Sequence, residues 1–150
     1  MGDWNAMLYD NKHDFVSEYG KGLLEFVPEN KNQSILDLGC GTGMLTAQLS
    51  NYADTIIGVD SSASMIAKAK KQYANIQFEV CDALTLPFEK QFDVVFSNAV
   101  FHWIPDHNAL LKQELLCRGW FLPPNTYDCG SFVVNGTAVV GKEQNNPYNC

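Results

Sequence analysis

A chain of 150 residues has room for one domain around one continuous core, and 46% apolar with 18% charged residues describes a folded globular protein, not a disordered one. The formal net charge of −7 argues against a nucleic-acid backbone as the main partner, because phosphate binding wants a basic face. No apolar run approaches the roughly 18 residues that span a bilayer, and Met1-Gly2-Asp3-Trp4-Asn5 is not the start of a signal peptide, so no membrane association and a cytoplasmic location are expected.

Residues 11–27 read as an amphipathic helix, with Phe15, Tyr19, Leu23 and Val27 at four-residue spacing and Val16 and Phe26 widening the stripe. Pro28 and the polar stretch to Gln33 end it. Ser34-Ile35-Leu36-Asp37-Leu38 is a short apolar strand, followed by a glycine turn over 39–43 and a helix over 44–50 with Leu45 and Leu49 on one face. Thr55 to Val59 is a second strand ending at Asp60. Ser61 and Ser62 are suited to cap the next helix, which runs through Tyr73 and buries Met65, Ala69 and Tyr73 with Ile66 beside them. On that helix Lys68, Lys70 and Lys71 read as a solvated face. Third and fourth strands are expected over 76–80 and 92–96, ending at Cys81-Asp82 and Ser97-Asn98. Pro105-Asp106-His107 opens a helix through about Leu116. Further on, Phe132-Val133-Val134 and Thr137-Ala138-Val139-Val140 flank Asn135-Gly136, a hairpin signal that suits a type I′ turn. The five cysteines are odd in number and form no CxxC pair, so neither a disulfide framework nor a metal site is expected.

Strands alternating with helices imply an α/β fold with a mostly parallel sheet covered on both faces. In such sheets ligands bind beyond the carboxyl ends of the strands. The four strand ends here, at Asp37–Gly43, Asp60–Ser61, Asp82–Ala83 and Ser97–Asn98, are all polar and fall on one edge. Gly39 and Gly41 sit where a strand turns into a helix, which lets a ligand approach the backbone. The spacing is G-x-G-x-G and not the dinucleotide G-x-G-x-x-G, since position 44 is Met. Asp60 follows at about the distance where an acid meets ribose hydroxyls.

Ile35-Leu-Asp-Leu-Gly-Cys-Gly-Thr-Gly43 resembles the first motif of class I S-adenosylmethionine-dependent methyltransferases, and Ile57-Gly-Val-Asp60-Ser-Ser their second. Cys81-Asp82-Ala83 with Leu86-Pro87-Phe88 resembles the third, and Phe92-Asp-Val-Val-Phe-Ser-Asn-Ala99 the fourth. Trp4-Asn5, Tyr9-Asp10 and Ser97-Asn-Ala-Val-Phe-His-Trp-Ile104 are similar to the trans-aconitate methyltransferase-like branch. The resemblance covers residues 4–113 and implies a Rossmann-like three-layer sandwich, with S-adenosyl-L-methionine as cofactor and S-adenosyl-L-homocysteine as product. It implies that Asp37 meets the cofactor's ammonium, directly or through water, and that the backbone around Gly39, Cys40 and Gly41 accommodates the amino-acid portion. Asp60 would take the ribose hydroxyls, Ser61 and Met65 the ribose and adenine pocket, Asp82 and the Ala83 N–H the adenine edge. Asn98 would lie near the sulfonium, and Tyr9 would close over the cofactor. Plain structural roles compete: Asp60 as a helix cap, Asp82 as a turn residue, Asn98 as a strand-end amide, Cys40 as a small residue, and His102 packed between Phe101 and Trp103. Asn98 and His102 are the weak catalytic candidates, and His107 and His13 read as surface residues.

Residues 1–113 match the family and 114–150 form an atypical tail of the single domain 1–150. From Gly119 onward only Asp128, Lys142 and Glu143 are charged, and Leu122-Pro123-Pro124-Asn125 is at best a distorted echo of the family's Leu-Lys-Pro-Gly-Gly turn. The family continues with a fifth strand and an antiparallel hairpin. Either the chain is a truncation with an altered end, or the ending is native and shortened with the 132–140 hairpin as its close. A sheet incomplete on its C-terminal side would expose an edge and invite a homodimer. Two functions follow: methyl transfer to a small-molecule acceptor, a carboxylate among the candidates, or a cofactor-binding module without turnover; against a third, a nicotinamide dehydrogenase, stand Met44 in place of the third glycine and Asp82-Ala83.

Overall fold

Ser34–Leu38 forms the central strand β1, because its alternation places Ile35 and Asp37 on one face of the sheet and Leu36 and Leu38 on the other. The chain then runs through helix α1 (Met44–Leu49), a 3-10 turn (Ser50–Tyr52), β2 (Thr55–Asp60), α2 (Ala63–Gln72), β3 (Gln77–Val80), β4 (Val94–Ser97), β5 (Ser131–Val134) and β6 (Thr137–Val140). This computed structural model describes residues 22, 24, 25, 27, 28, 31–89, 91–98, 100, 104–106, 108–110, 112, 113, 131–134 and 137–140, the last two stretches as backbone.

The strands of the described residues order as β3-β2-β1-β4-β6-β5. The first four are parallel and the hairpin β5–β6 is antiparallel, with β6 paired antiparallel to β4. The expected mostly parallel sheet is therefore present. Register aligns Phe96, Asp37, Gly58 and Phe78 in one row across four strands. That row faces the helices: Ile35, Val94 and Phe96 pack with Leu49, Leu24 and Val27, while Phe78 packs with Ile66 and Ala69 of α2. On the opposite face Leu36, Leu38, Val59 and Val95 meet Leu86, Phe88 and Phe92 from the 84–92 segment, together with Ile104 and Leu110. Phe88 and Phe92 meet edge to face, with ring centroids 5.3 Å apart. Each apolar side chain so buried contributes about 1.5–3 kcal/mol.

Caps and boundaries follow local chemistry. Ser62 is the N-cap of α2, its Oγ accepting the Met65 N–H at 3.4 Å. Asp106 opens the last helix, its Oδ1 accepting the Ala109 N–H at 2.9 Å, and residues 108–110, 112 and 113 are helical. The fourth strand begins at Val94 and not at Phe92. Asp93 turns its carboxylate onto the Ser34 N–H and hydroxyl (3.0 and 3.1 Å), tying off the start of β1, and Phe92 goes into the core. In the N-terminal helix Leu24, outside the expected stripe, is buried with Val27; Phe15, Val16, Tyr19, Leu23 and Phe26 lie outside the described residues.

The hairpin changes one expectation. β6 lies directly against β4, so no fifth strand separates them, and on the C-terminal side, where an exposed edge is expected, β4 is paired. Among the described residues the sheet edges are β3 and β5. Because β6 is paired on both sides, Val139→Pro removes a ladder donor from an interior strand. Hydrogen-exchange protection of the β4 amides facing β6 is expected to fall at least about tenfold, with Ile35 and Leu36 unaffected; unchanged β4 protection would mean that the hairpin does not hold this edge.

Candidate functional site

At the end of β1 the chain turns through Gly39–Gly43 into α1, and β2 anchors that turn. The N–H groups of Gly39 and Cys40 both donate to the Val59 carbonyl, at 2.8 and 2.9 Å. The Gly41 N–H donates to Asp60 Oδ2 and the Ser62 N–H to Asp60 Oδ1, each at 2.9 Å. The Asp60 carbonyl takes the Cys81 N–H at 3.0 Å. One residue thus joins the ends of β1, β2 and β3. At Gly41 φ is +55° and nothing lies within 4 Å of where a Cβ would stand, so the turn is open on that side. At Gly43 φ is +84° and a Cβ would meet the Phe78 ring at 2.7 Å, so glycine is required for α1 to start this close to the sheet.

An open cleft of about 180 Å³ lies beyond these strand ends. Its polar rim comes from Gly39, Gly41, Asp60, Ser61, Asp82 and Asn98, and Met65 and Ala83 also line it. Asp82 is exposed; its Oδ1 takes the Leu84 N–H at 2.8 Å and its carbonyl the Thr85 N–H at 3.1 Å, a side-chain turn that fixes the loop after β3. A carboxylate has about four acceptor positions, so the two backbone N–H groups on Asp60 and the one on Asp82 leave both acids able to accept more.

The four polar strand ends expected from the sequence therefore converge. Asp37 and Cys40 do not line the cleft. Asp37 lies behind the turn, and Cys40 packs with Ile66, Ala69 and Phe78 near Gly58. Of the remaining candidates, Tyr9, His13, His102 and His107 lie outside the described residues. Sequence reasoning missed the apolar wall of Leu38, Leu84, Val100, Ile104 and Pro105. It also missed Thr46, the partner of Asp37, and Ser97, buried with its Oγ unpaired among the described residues. Nothing in a run such as Val94–Ser97 signals which hydroxyl will lack a partner.

Comparison with known proteins places the chain in context. The methyltransferase domain family matches residues 35–115. A trans-aconitate 2-methyltransferase of Deinococcus radiodurans is 41% identical over 113 residues, covering 73% of this chain and 43% of that protein. An uncharacterized methyltransferase of Schizosaccharomyces pombe is 33% identical over 149 residues, covering 92% of this chain and 55% of that one. Coverage of 92% cannot fit within residues 1–113, so this similarity reaches into the tail. The chain spans about half the length of these curated relatives. Among solved structures, an S-adenosylmethionine-dependent methyltransferase of Mesorhizobium loti is similar at a TM-score of 0.59 and 27% identity, over 65% of this chain and 46% of that one. Phosphoethanolamine N-methyltransferase 2 of Haemonchus contortus, solved in complex with S-adenosyl-L-methionine, reaches 0.60 and 29%, over 67% of this chain and 25% of that one. The Rossmann-like fold expected from the motifs is the fold of these neighbours.

The electrostatics of the site centre on Asp37, only 2% exposed. Burial pushes its carboxyl up to about 7; the Thr46 hydroxyl, donating to Oδ2 at 2.6 Å, acts against this, and the Asp60 charge adds to it. Burial also raises the thiols of Cys40 and Cys81, with Asp37 and Asp60 adding at Cys40 and Glu79 at Cys81. Because Asp37 titrates higher when folded, the folded chain keeps a proton that the unfolded chain releases near its ordinary 3.8. This group's contribution to stability is thus intact below that value and lost as pH rises toward about 7. Between pH 5 and pH 8 the wild-type chain is expected to lose about 2–3 kcal/mol more than Asp37→Asn in urea unfolding. Parallel pH profiles would show that Asp37 carries no burial penalty.

Proposed function

The chain belongs to the methyltransferase domain family, and we propose that its cleft binds S-adenosyl-L-methionine for methyl transfer to a small-molecule acceptor, a carboxylate. The observation that carries this reading is the junction at Asp60, whose carboxylate grips the glycine turn and the start of α2 while keeping acceptor capacity at the cleft rim. The residues fit the cofactor. The open side of Gly41 leaves backbone free for its amino-acid portion, Asp60 has acceptors for two ribose hydroxyls, and Asp82 with Ala83 offers an acceptor and a donor to the adenine edge. Met65, Leu84 and Val59 supply apolar surface for the flat base. Asp37, behind the turn, would meet the ammonium directly or through water.

When bound, the cofactor supplies a methyl group activated by a sulfonium. The chain's part is to hold it and exclude water, since in-line displacement depends on positioning more than on acid–base help. Asn98, at the end of β4, stands on the cleft rim beside the apolar wall of Val100, Ile104 and Pro105 that would screen the reacting centre. A carboxylate acceptor is already ionised near neutral pH and needs no base. Relatives named trans-aconitate 2-methyltransferase support that acceptor class. Residues 1–150 form one domain on this reading, which the similarity that reaches into the tail and the pairing of the hairpin with β4 support.

Titration of S-adenosyl-L-homocysteine by calorimetry tests the site, with NAD in parallel. Wild type is expected to bind one equivalent, and Asp60→Ala, checked by circular dichroism to be folded, to bind about 1–3 kcal/mol more weakly for a lost charged acceptor. NAD is expected to give no saturable heat. Equal binding by Asp60→Ala, or preference for NAD, would overturn the reading. Binding without transfer of labelled methyl to any carboxylate would make the chain a cofactor-binding module.

A further inference from the structure

We propose that Thr46 is a positioning residue, its buried hydroxyl holding the Asp37 carboxylate charged and oriented for the cofactor's ammonium. This rests on the reading of the cleft as an S-adenosylmethionine site. The two side chains come from the end of β1 and the middle of α1, nine residues apart. Thr46 is fully buried and Asp37 nearly so, and the Oγ1–Oδ2 distance is 2.6 Å, the length of a charge-assisted bond.

The surroundings of Asp37 make that one donor matter. In its row of the sheet the flanking positions are Phe96 and Gly58, which bring no polar side chain. The titratable groups facing it are Cys40, from the glycine turn, and Asp60, from the end of β2; neither offers positive charge, and Asp60 repels it. Among the described residues no cation pairs with it. The Thr46 hydroxyl is thus the group that favours the ionised form, and by occupying Oδ2 it leaves Oδ1 for an ammonium or an intervening water. A threonine in mid-helix commonly returns its hydroxyl to its own helix backbone; here it is spent on a neighbouring strand. The raised Asp37 titration is consistent with a carboxylate that lacks its cation until a ligand brings one.

The test measures S-adenosyl-L-homocysteine affinity from pH 6 to 9 for wild type, Thr46→Val, Thr46→Ala and Thr46→Ser. Valine keeps the shape and removes the donor, alanine removes the donor together with the branched side chain but is a better helix former, and serine restores the hydroxyl. If removing the donor raises Asp37 by about one unit, the hydroxyl-free variants bind roughly fivefold more weakly than wild type at pH 7 and converge on it by pH 9. Thr46→Ser is expected to follow the wild-type profile. A second readout is proton release on binding at pH 7, from calorimetry in buffers of different ionisation enthalpy: the hydroxyl-free variants release more than wild type. A loss of affinity that is the same at every pH, or none, overturns the positioning role and leaves Thr46 a packing residue. Failure of folded wild type to bind at any pH instead removes the cofactor reading on which the proposal stands.

Discussion

The structure depends on one carboxylate. Asp60 accepts the Gly41 N–H with one oxygen and the Ser62 N–H with the other, while its carbonyl accepts the Cys81 N–H. These bonds hold the loops after β1, β2 and β3 at fixed spacing on the same edge of the sheet. Each hydrogen bond to the charged group contributes about 1.5–3 kcal/mol, enough to order a glycine turn that would otherwise carry a large conformational entropy. Asp60 also lines the cleft. Holding the loops and, on the proposed reading, offering acceptors to a ligand are therefore one arrangement, and the reading of Asp60 as a helix cap is corrected: that task falls to Ser62.

Behind the turn lies a row that ordinary core packing would not choose. Phe96, Asp37, Gly58 and Phe78 run side by side across four strands, with an acid in the middle and a glycine next to it. Gly58 has no side chain because a Cβ there would meet the Phe78 ring at 2.7 Å and Cys40 at 3.1 Å. That omission lets Phe78 and Cys40 close the space under α2. The acid is a cost in the ligand-free chain, since burying a carboxylate without a cation raises its titration to about 7.

How much was legible in the sequence follows from where the signals come from. β1 and β2 read clearly because their apolar runs are bounded by Gln33 and by the glycine turn on one side and by Asp60 and two serines on the other. The convergence of Asp60, Asp82 and Asn98 was also legible, because parallel strands must end on one side. The start of β4 was not, because Phe92 looks like strand but its neighbour Asp93 was needed to tie off Ser34. The hairpin could be read from Asn135-Gly136, but not its docking on β4, which depends on the whole sheet. Thr46 and the wall of Val100, Ile104 and Pro105 act through space across other elements, and periodicity within one segment does not show such neighbours.

The most direct test of the claim that these four strand ends form one cofactor site is an amide chemical-shift titration of the chain with S-adenosyl-L-homocysteine. Saturable shifts are expected to gather at Gly39, Gly41, Asp60, Ser61, Ala83 and Asn98, all at the carboxyl edge of the sheet, with Ser34 and Thr55 at the opposite edge unchanged. Shifts centred on the opposite edge, or none in a folded chain, would contradict it.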